Sequence, residues 1–319
     1  MKKILVTGGS GYKGALLIKK LVRLNYKVIN IDRNIFGNYF LNHKNVKNYN
    51  IDIREIDKIN LNGVYACIHL ASIANDPMTE INPSLSWETS VLGTKLLIEN
   101  LIKYKVKKLI YASSGSVYGV KKEKKVTEDL KLEPLSTYNK VKMATERVII
   151  SYKDKINSVI LRPATVCGFA PRMRLDVTVN MLTYQALKHN KITVFGGSQK
   201  RPNIHIDDIL DIYLFFLKRK IKETEIYNVG FENLSILQIA KIISKKIGAD
   251  IKIVKNTHDK RSYNLDSSKL LSLGFKPKKK IEDAINELKD LYEKKVFIDK
   301  PNFHSIKWLK KKKNIFTEK

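Results

Sequence analysis

The chain is poor in features that would mark other classes of protein. It has 2 cysteines, Cys67 and Cys167, in 319 residues, too few for a disulfide framework or, alone, a structural zinc site. No run of about 18 apolar residues occurs, which excludes a membrane-spanning helix. The opening MKKILVTGGSG passes directly from two lysines into a strand-like stretch and glycines. It lacks the apolar length and the cleavage site of a signal peptide, so a cytoplasmic location is expected. Acidic residues are scarce, 31 against 60 basic ones, for a formal charge of +29. Only ten of the basic residues are arginine, and lysine is spread along the whole chain with abundant Asn and Ile. That diffuse pattern reads as the codon bias of an AT-rich genome. A nucleic-acid surface would concentrate basic and aromatic residues together. Neither a nucleic-acid nor a membrane partner is expected, although a positive field helps gather anionic substrates. The one dense cluster, Lys310 to Lys313 beside Trp308, is expected to be a solvated tail.

With 43% hydrophobic residues, the chain can bury a sizeable core in one large or two coupled domains. Strand-like runs at 3–7, 27–32, 46–52, 65–71, 107–114 and 158–166 alternate with helical patterns at 15–24, 84–104 and 137–152. Several runs are apolar on successive residues, as strands buried on both faces should be. The fold expected is α/β, a Rossmann-type doubly wound parallel sheet whose strand C-terminal ends line one crevice. After residue 166 the rhythm breaks into a Gly- and Pro-punctuated stretch, followed by helical patterns at 207–220, 236–247 and 281–294. Short strands are expected near 226–229 and 251–254. The division expected is 1–166 for the dinucleotide-binding domain and 167–319 for a smaller substrate-binding lobe. Part of 206–247 is expected to pack back on the first domain.

Thr7-Gly8-Gly9-Ser10-Gly11-Tyr12-Lys13-Gly14 follows the first strand and opens a helix. Gly8, Gly11 and Gly14 fit a dinucleotide fingerprint: without Cβ atoms the turn is tight and a pyrophosphate can approach backbone N–H groups at a helix N-terminus. Asp32 ends the second strand 18 residues beyond Gly14. A carboxylate there accepts from both ribose hydroxyls and repels a 2′-phosphate, favouring NAD, while Arg33 keeps NADP open. Asp52 could accept from an adenine amino group, with Ile53 packed on the ring; a capping role is the alternative. Ser10, Tyr12, Leu70 and Ala71 complete the expected cofactor surroundings.

Tyr138 and Lys142 stand four apart in a helical pattern and share a face. A free phenol, with pKa about 10, is a poor base near neutrality. Lowering it by about three units takes roughly 4 kcal/mol, attainable with an ammonium and an oxidised nicotinamide nearby. Upstream, Ala112-Ser113-Ser114-Gly115-Ser116-Val117-Tyr118-Gly119 closes the fifth strand and places hydroxyls at the sheet edge.

Together these motifs resemble an extended short-chain dehydrogenase/reductase of the NAD-dependent nucleotide-sugar epimerase/dehydratase family. The resemblance continues in PLSTYNKVK at 134–142, LRP at 161–163, RPNIHIDD at 201–208, LDSSK at 265–269 and LGFKP at 273–277. It implies NAD as cofactor, a nucleotide-sugar substrate and a catalytic trio of Tyr138, Lys142 and Ser114, with Ser113 the substitute for Ser114. Tyr138 and Lys142 also touch the cofactor. Arg201 and Arg261 match positions that grip a nucleotide diphosphate. Arg172 and Arg174 would supplement that grip or be exposed, and Ser116 would join Ser114 at the substrate. Helices 84–104 and 137–152 often build a dimer's four-helix bundle in this family, so a homodimer is implied.

Departures from the family pattern narrow the reaction. Similar 4,6-dehydratases carry Asp and Glu just after the catalytic hydroxyl, and decarboxylases tend to keep a Glu; here Gly115 and Ser116 stand there. The activity implied is 4-epimerisation through a keto-sugar, with 4-ketoreductase or 4-dehydrogenase as the alternative. A nucleic-acid-binding member of the superfamily is the third alternative. Ser90, Thr165, Cys167 and Lys13 also replace the usual Asn, Asn, aromatic and apolar residues. His69 and His205 are expected in packing roles, and no metal site is expected.

Overall fold

The structure, a computed structural model, describes residues 1–255 and 262–312. Its strands are β1 Lys3–Thr7, β2 Lys27–Ile31, β3 Val46–Tyr49, β4 Val64–His69, β5 Lys108–Ala112, β6 Ser158–Pro163 and β7 Thr165–Cys167. They continue with β8 Lys191–Phe195, β9 Lys200–His205, β10 Glu225–Val229, β11 Glu232–Ser235 and β12 Asp250–Val254. Seven of them form one sheet in the order β10-β6-β5-β4-β1-β2-β3, every pair parallel.

Both faces of this sheet are covered, which explains the apolar runs. On one face Ile4, Val6, Ala66, Ile68 and Ile110 meet Leu17 and Leu21 of the helix Gly14–Arg23 and Ile209 and Tyr213 of the helix Ile206–Lys218. On the other, Leu5, Cys67, Leu109 and Tyr111 meet Leu97 and Leu101 of the helix Gly93–Lys103 and Ile149 of the helix Thr137–Ser151. Successive strand residues point to opposite faces, so a strand with helices on both sides must be apolar throughout. A separate core joins the helices Thr178–His189, Ile236–Ile247 and Ile281–Glu293. Two small sheets, β11-β9-β7 and β12-β8, lie in this later half of the chain.

Three expectations need correction. The run at 158–166 is two strands: the pairing of β6 with β10 ends with the bond from Ala164 N to Val229 O (2.7 Å), and from Thr165 the chain pairs with β9 instead, so β6 serves the large sheet and β7 a small one. The pattern at 84–104 is not one α-helix. Pro83–Trp87 passes through a π-helical stretch, Glu88–Leu92, into Gly93–Lys103. A Cβ on Gly93 would stand 2.7 Å from the Ile53 side chain. The stretch read as loop-rich after 166 also holds the helix Thr178–His189 and strands β8 and β9. Their flanking glycines and prolines mark the ends of short elements.

His69, at the end of β4, is fully buried, with Nδ1 2.6 Å from Thr7 Oγ1 and Nε2 2.9 Å from Thr94 Oγ1. Burial, assisted by Lys142, pushes its pKa down to about 3. The unfolded imidazole titrates near 6.5, so in acid the unfolded chain takes up the proton first. This residue's contribution is therefore full above about pH 6.5 and shrinks by up to about 1.4 kcal/mol per pH unit toward pH 3. Urea denaturation at pH 7 and pH 5 checks it: His69→Gln should lose about 2 kcal/mol less over that interval than the wild type.

Candidate active site

A cavity of about 540 Å³ opens where β1, β2, β4 and β5 end. It lies at the switch point between β1 and β4, the place where doubly wound sheets hold ligands. The glycine turn forms its floor. Gly8 has φ +79, and a Cβ there would sit 2.7 Å from Ala71 N and 2.9 Å from the Leu70 carbonyl carbon. A Cβ on Gly14 would stand 2.2 Å from Gly8 O. Gly9, which lies outside the three-residue spacing, is equally constrained: its Cβ would overlap Asn30 Oδ1 at 1.9 Å. The cradle is therefore backbone, with the helix Gly14–Arg23 starting at its rim, and it fits a pyrophosphate.

Asp32 is fastened beside this turn. Its Oδ2 accepts from Ser10 N (2.9 Å) and its Oδ1 from Asn34 N (2.8 Å). Burial raises the carboxyl's pKa against the opposing pull of these two bonds. Arg33 Nη1 pairs with Asp52 Oδ2 at 2.9 Å. Asp52 stands off the cavity wall, which is formed here by Ile51 and Ile53. β3 ends at Tyr49, and Asp52 caps the 3-10 turn Ile53–Lys58 while accepting from Arg54 Nε at 3.1 Å. Tyr12 lines the cavity, but its hydroxyl donates to Gly168 O (2.6 Å) and accepts from Asn180 Nδ2 (3.1 Å).

The helix Thr137–Ser151, capped by Ser136, presents Tyr138 and Lys142 to the same cavity, opposite the end of β5. Lys142 Nζ donates to Ala112 O (2.8 Å) and Tyr111 OH (3.3 Å) and lies 5.9 Å from the centre of the Tyr138 ring. Burial first, then the charge of Lys13, lowers its pKa to about 7, with Glu146 opposing. Ser114 caps the short turn Gly115–Tyr118 and shares a hydrogen bond with Ser116 Oγ (2.8 Å), which donates to Asn139 Oδ1 (2.6 Å). Ser113 differs: its hydroxyl is bound to Glu146, inside the buried Glu146–Arg162 pair. Both serines line the cavity, and of the two only Ser114 has its hydroxyl off that carboxylate.

The arginines divide by place. Arg172 and Arg174 are not exposed side chains. Arg172 is 3% exposed, lies 4.0 Å over the Phe36 ring and donates to Ser305 Oγ (2.9 Å). Burial and the neighbouring Arg174 lower its pKa to about 10. Arg174 forks onto Asp176 with two bonds of 2.9 Å. Arg201, also on the wall, donates to Lys200 O (3.0 Å). Arg261 lies outside the described residues. Lys13, where an apolar residue is usual, reaches Tyr213 OH (3.1 Å), and burial lowers its pKa to about 8. Lys13, Arg33, Lys142, Arg172, Arg174 and Arg201 thus line a cavity whose acidic groups are Asp32, Asp76 and Asp176. That imbalance suits ligands carrying several phosphates.

Several wall residues escaped the sequence reading. Ser72 Oγ meets Ser90 Oγ at 3.1 Å, and Asn75 Nδ2 donates to Asp176 Oδ2 at 2.5 Å. Nothing local distinguishes Ser72, Asn75 or Asp176 from ordinary loop residues, and only Ser90 behind them stands out in the sequence.

A glycine cradle, a fastened acidic residue and a Tyr–Lys pair in one crevice define a dinucleotide-dependent enzyme of hydroxyl–carbonyl chemistry. Residues 4–230 match the family described as "NAD dependent epimerase/dehydratase family". The chain is 32% identical over 298 residues to a putative UDP-glucose 4-epimerase of Methanocaldococcus jannaschii, covering 89% of this chain and 96% of the relative. It is 29% identical to the UDP-glucose 4-epimerase of Lactobacillus helveticus, covering 89% and 94%. Among solved structures, the Thermotoga maritima UDP-glucose 4-epimerase with UDP-glucose superposes with a TM-score of 0.83 at 26% identity, covering 92% of this chain and 99% of that one. The chain belongs to the NAD-dependent epimerase/dehydratase family, within the extended short-chain dehydrogenases/reductases, and NAD is its cofactor.

Proposed function

We propose that the chain is a nucleotide-sugar 4-epimerase. The observation that carries this reading is the convergence of Tyr138, Lys142 and Ser114 on the dinucleotide crevice, with Gly115 and Ser116, neither a carboxylate, following Ser114 in the chain. The relatives include a dTDP-D-glucose 4,6-dehydratase of Bos taurus, 29% identical, so the family alone does not choose the reaction. Elimination of water needs an acid and a base of its own at the sugar; epimerisation does not.

The roles follow from position. Ser114 holds the sugar hydroxyl, and Tyr138 removes its proton as the C4 hydrogen leaves. The Lys142 ammonium, 5.9 Å from the ring centre, favours the tyrosinate. Bound NAD supplies the acceptor, and later the donor, of that hydride. The keto-sugar turns over in the pocket, and Tyr138 returns the proton to the oxygen as C4 regains its hydrogen on the other face. Asp32 and the glycine cradle hold the dinucleotide. In this reading Arg201 and Arg174, both on the cavity wall, take the nucleotide diphosphate, while Arg172 acts on the Asp32 side.

A panel of nucleotide sugars, followed by NMR of the sugar and by absorbance at 340 nm, tests the reading. The expected result is conversion between C4 epimers with no net NADH change. One NADH formed or consumed per sugar overturns it.

The same reading includes a cytoplasmic homodimer. Both cysteines are free and buried, consistent with a reducing compartment, and no helix among the described residues is long and apolar enough to cross a membrane. Trp87, Leu92 and Ile150 are exposed along the helices expected to pair. A monomer by sedimentation would remove the dimer.

A further inference from the structure

The described part of the basic cluster near residue 310 is solvated, as expected, but it is carried by a packed helix rather than a loose tail. Ser305–Lys311 is a helix, and although Lys310, Lys311 and Lys312 are exposed, Leu309 is 1% exposed. Lys313 lies outside the described residues. The preceding turn, Pro301–Phe303, and this helix lie across the crevice. On one side they hold the loop that follows Asp32: Trp308 Nε1 donates to Ile35 O (2.7 Å), and Asn302 Nδ2 donates to Phe36 O (2.5 Å) and Tyr39 OH (2.9 Å). On the other side Leu309 packs with Ile73, Met78 and Leu85, in the segment after β4. Between the two, Ser305 Oγ accepts from Arg172, and Ile306 forms part of the cavity wall.

The loops after β2 and β4 flank the glycine turn, so a dinucleotide seated there lies between them. We propose that residues 301–311 are a clasp that ties these two loops together over the cofactor, so that NAD exchanges only when the clasp lifts. Lifting exposes Phe303, Leu309 and the Trp308 ring and breaks four side-chain hydrogen bonds and the backbone bond from Leu175 N to Phe303 O (3.0 Å), yet it breaks no strand pairing of the large sheet. Opening is thus a local event, separable from unfolding. The inference rests on the NAD site and not on which sugar reaction occurs there. Its consequence bears on that question, because a cofactor that is reduced and reoxidised in place gains from slow exchange, whereas net oxidation or reduction needs release at every turnover.

The experiment is isotope exchange. Holoenzyme carrying NAD is mixed with excess deuterated NAD, and the bound cofactor is followed by mass spectrometry, with no sugar present. Trp308→Ala and Asn302→Ala should each speed exchange by about tenfold or more, with Trp308→Phe, which keeps a ring but loses the N–H, intermediate. Ile243→Ala, in the separate core, should lower the melting temperature without this effect. Exchange in Trp308→Ala within about twofold of wild type, or equal acceleration in Ile243→Ala, overturns the clasp. Should Trp308→Ala fail to fold, Asn302→Ala and Trp308→Phe decide by the same criterion.

Discussion

Replacing Tyr138 with Phe should lower turnover of the nucleotide sugar by about 100-fold or more, the usual scale for a positioned acid–base group. The change removes one oxygen from a half-buried ring and leaves its shape. Lys142 does not depend on that oxygen for its position, since Ala112 O and Tyr111 OH hold its ammonium. The glycine cradle and Asp32 are untouched, so NAD content, read by mass spectrometry of the purified variant, should match the wild type. Loss of turnover with full NAD occupancy isolates the proton transfer. Unchanged turnover removes Tyr138 from the reaction.

The largest expected effect on stability comes from Glu146→Ala. Arg162 and Glu146 lie on β6 and on the helix that carries Tyr138, paired at 2.7 Å with side chains 4% and 2% exposed. Arg162 also reaches Tyr118 OH (2.7 Å), which donates to Asn228 Oδ1 (2.8 Å) on β10. Removing the carboxylate leaves a buried guanidinium without its counter-charge and strips Ser113 of its acceptor. Breaking such a pair from one side costs about 3–5 kcal/mol. The double variant Glu146→Leu with Arg162→Met should recover most of that, because neither charge is then stranded. Urea denaturation of the three proteins checks both statements. A loss under about 1 kcal/mol in Glu146→Ala would show that water or another group reaches the guanidinium.

Much of the architecture was legible because it is written in local period and spacing. Strands buried on both faces announce themselves as unbroken apolar runs, and the spacing of Gly8, Gly11 and Gly14 followed by Asp32 marks a turn, a helix start and a strand end. The Tyr138–Lys142 interval is a property of one helix and survives any tertiary arrangement. What stayed open was which side-chain partner each polar group takes. Asp52 could be read as a cofactor ligand or as a cap, and only its neighbours Arg33 and Arg54 show how its carboxylate is engaged. Ser113 and Ser114 are adjacent and chemically alike; past the end of β5 one hydroxyl goes to Glu146 and the other to Ser116.

The same limit applies at longer range. Trp308 and three exposed lysines look like a solvated end until Ile35 O, 273 residues earlier, accepts the indole N–H. Arg172 and Arg174 stand two apart, yet one lies against Phe36 and the other forks onto Asp176. By itself the sequence determined the sheet's character, the glycine turn and the shared face of Tyr138 and Lys142, because backbone sterics and side-chain period act between near neighbours. The tertiary structure decided which polar group meets which and what closes the crevice. Burial makes an unmatched charge or hydroxyl costly, and its match is found wherever the fold brings one within reach.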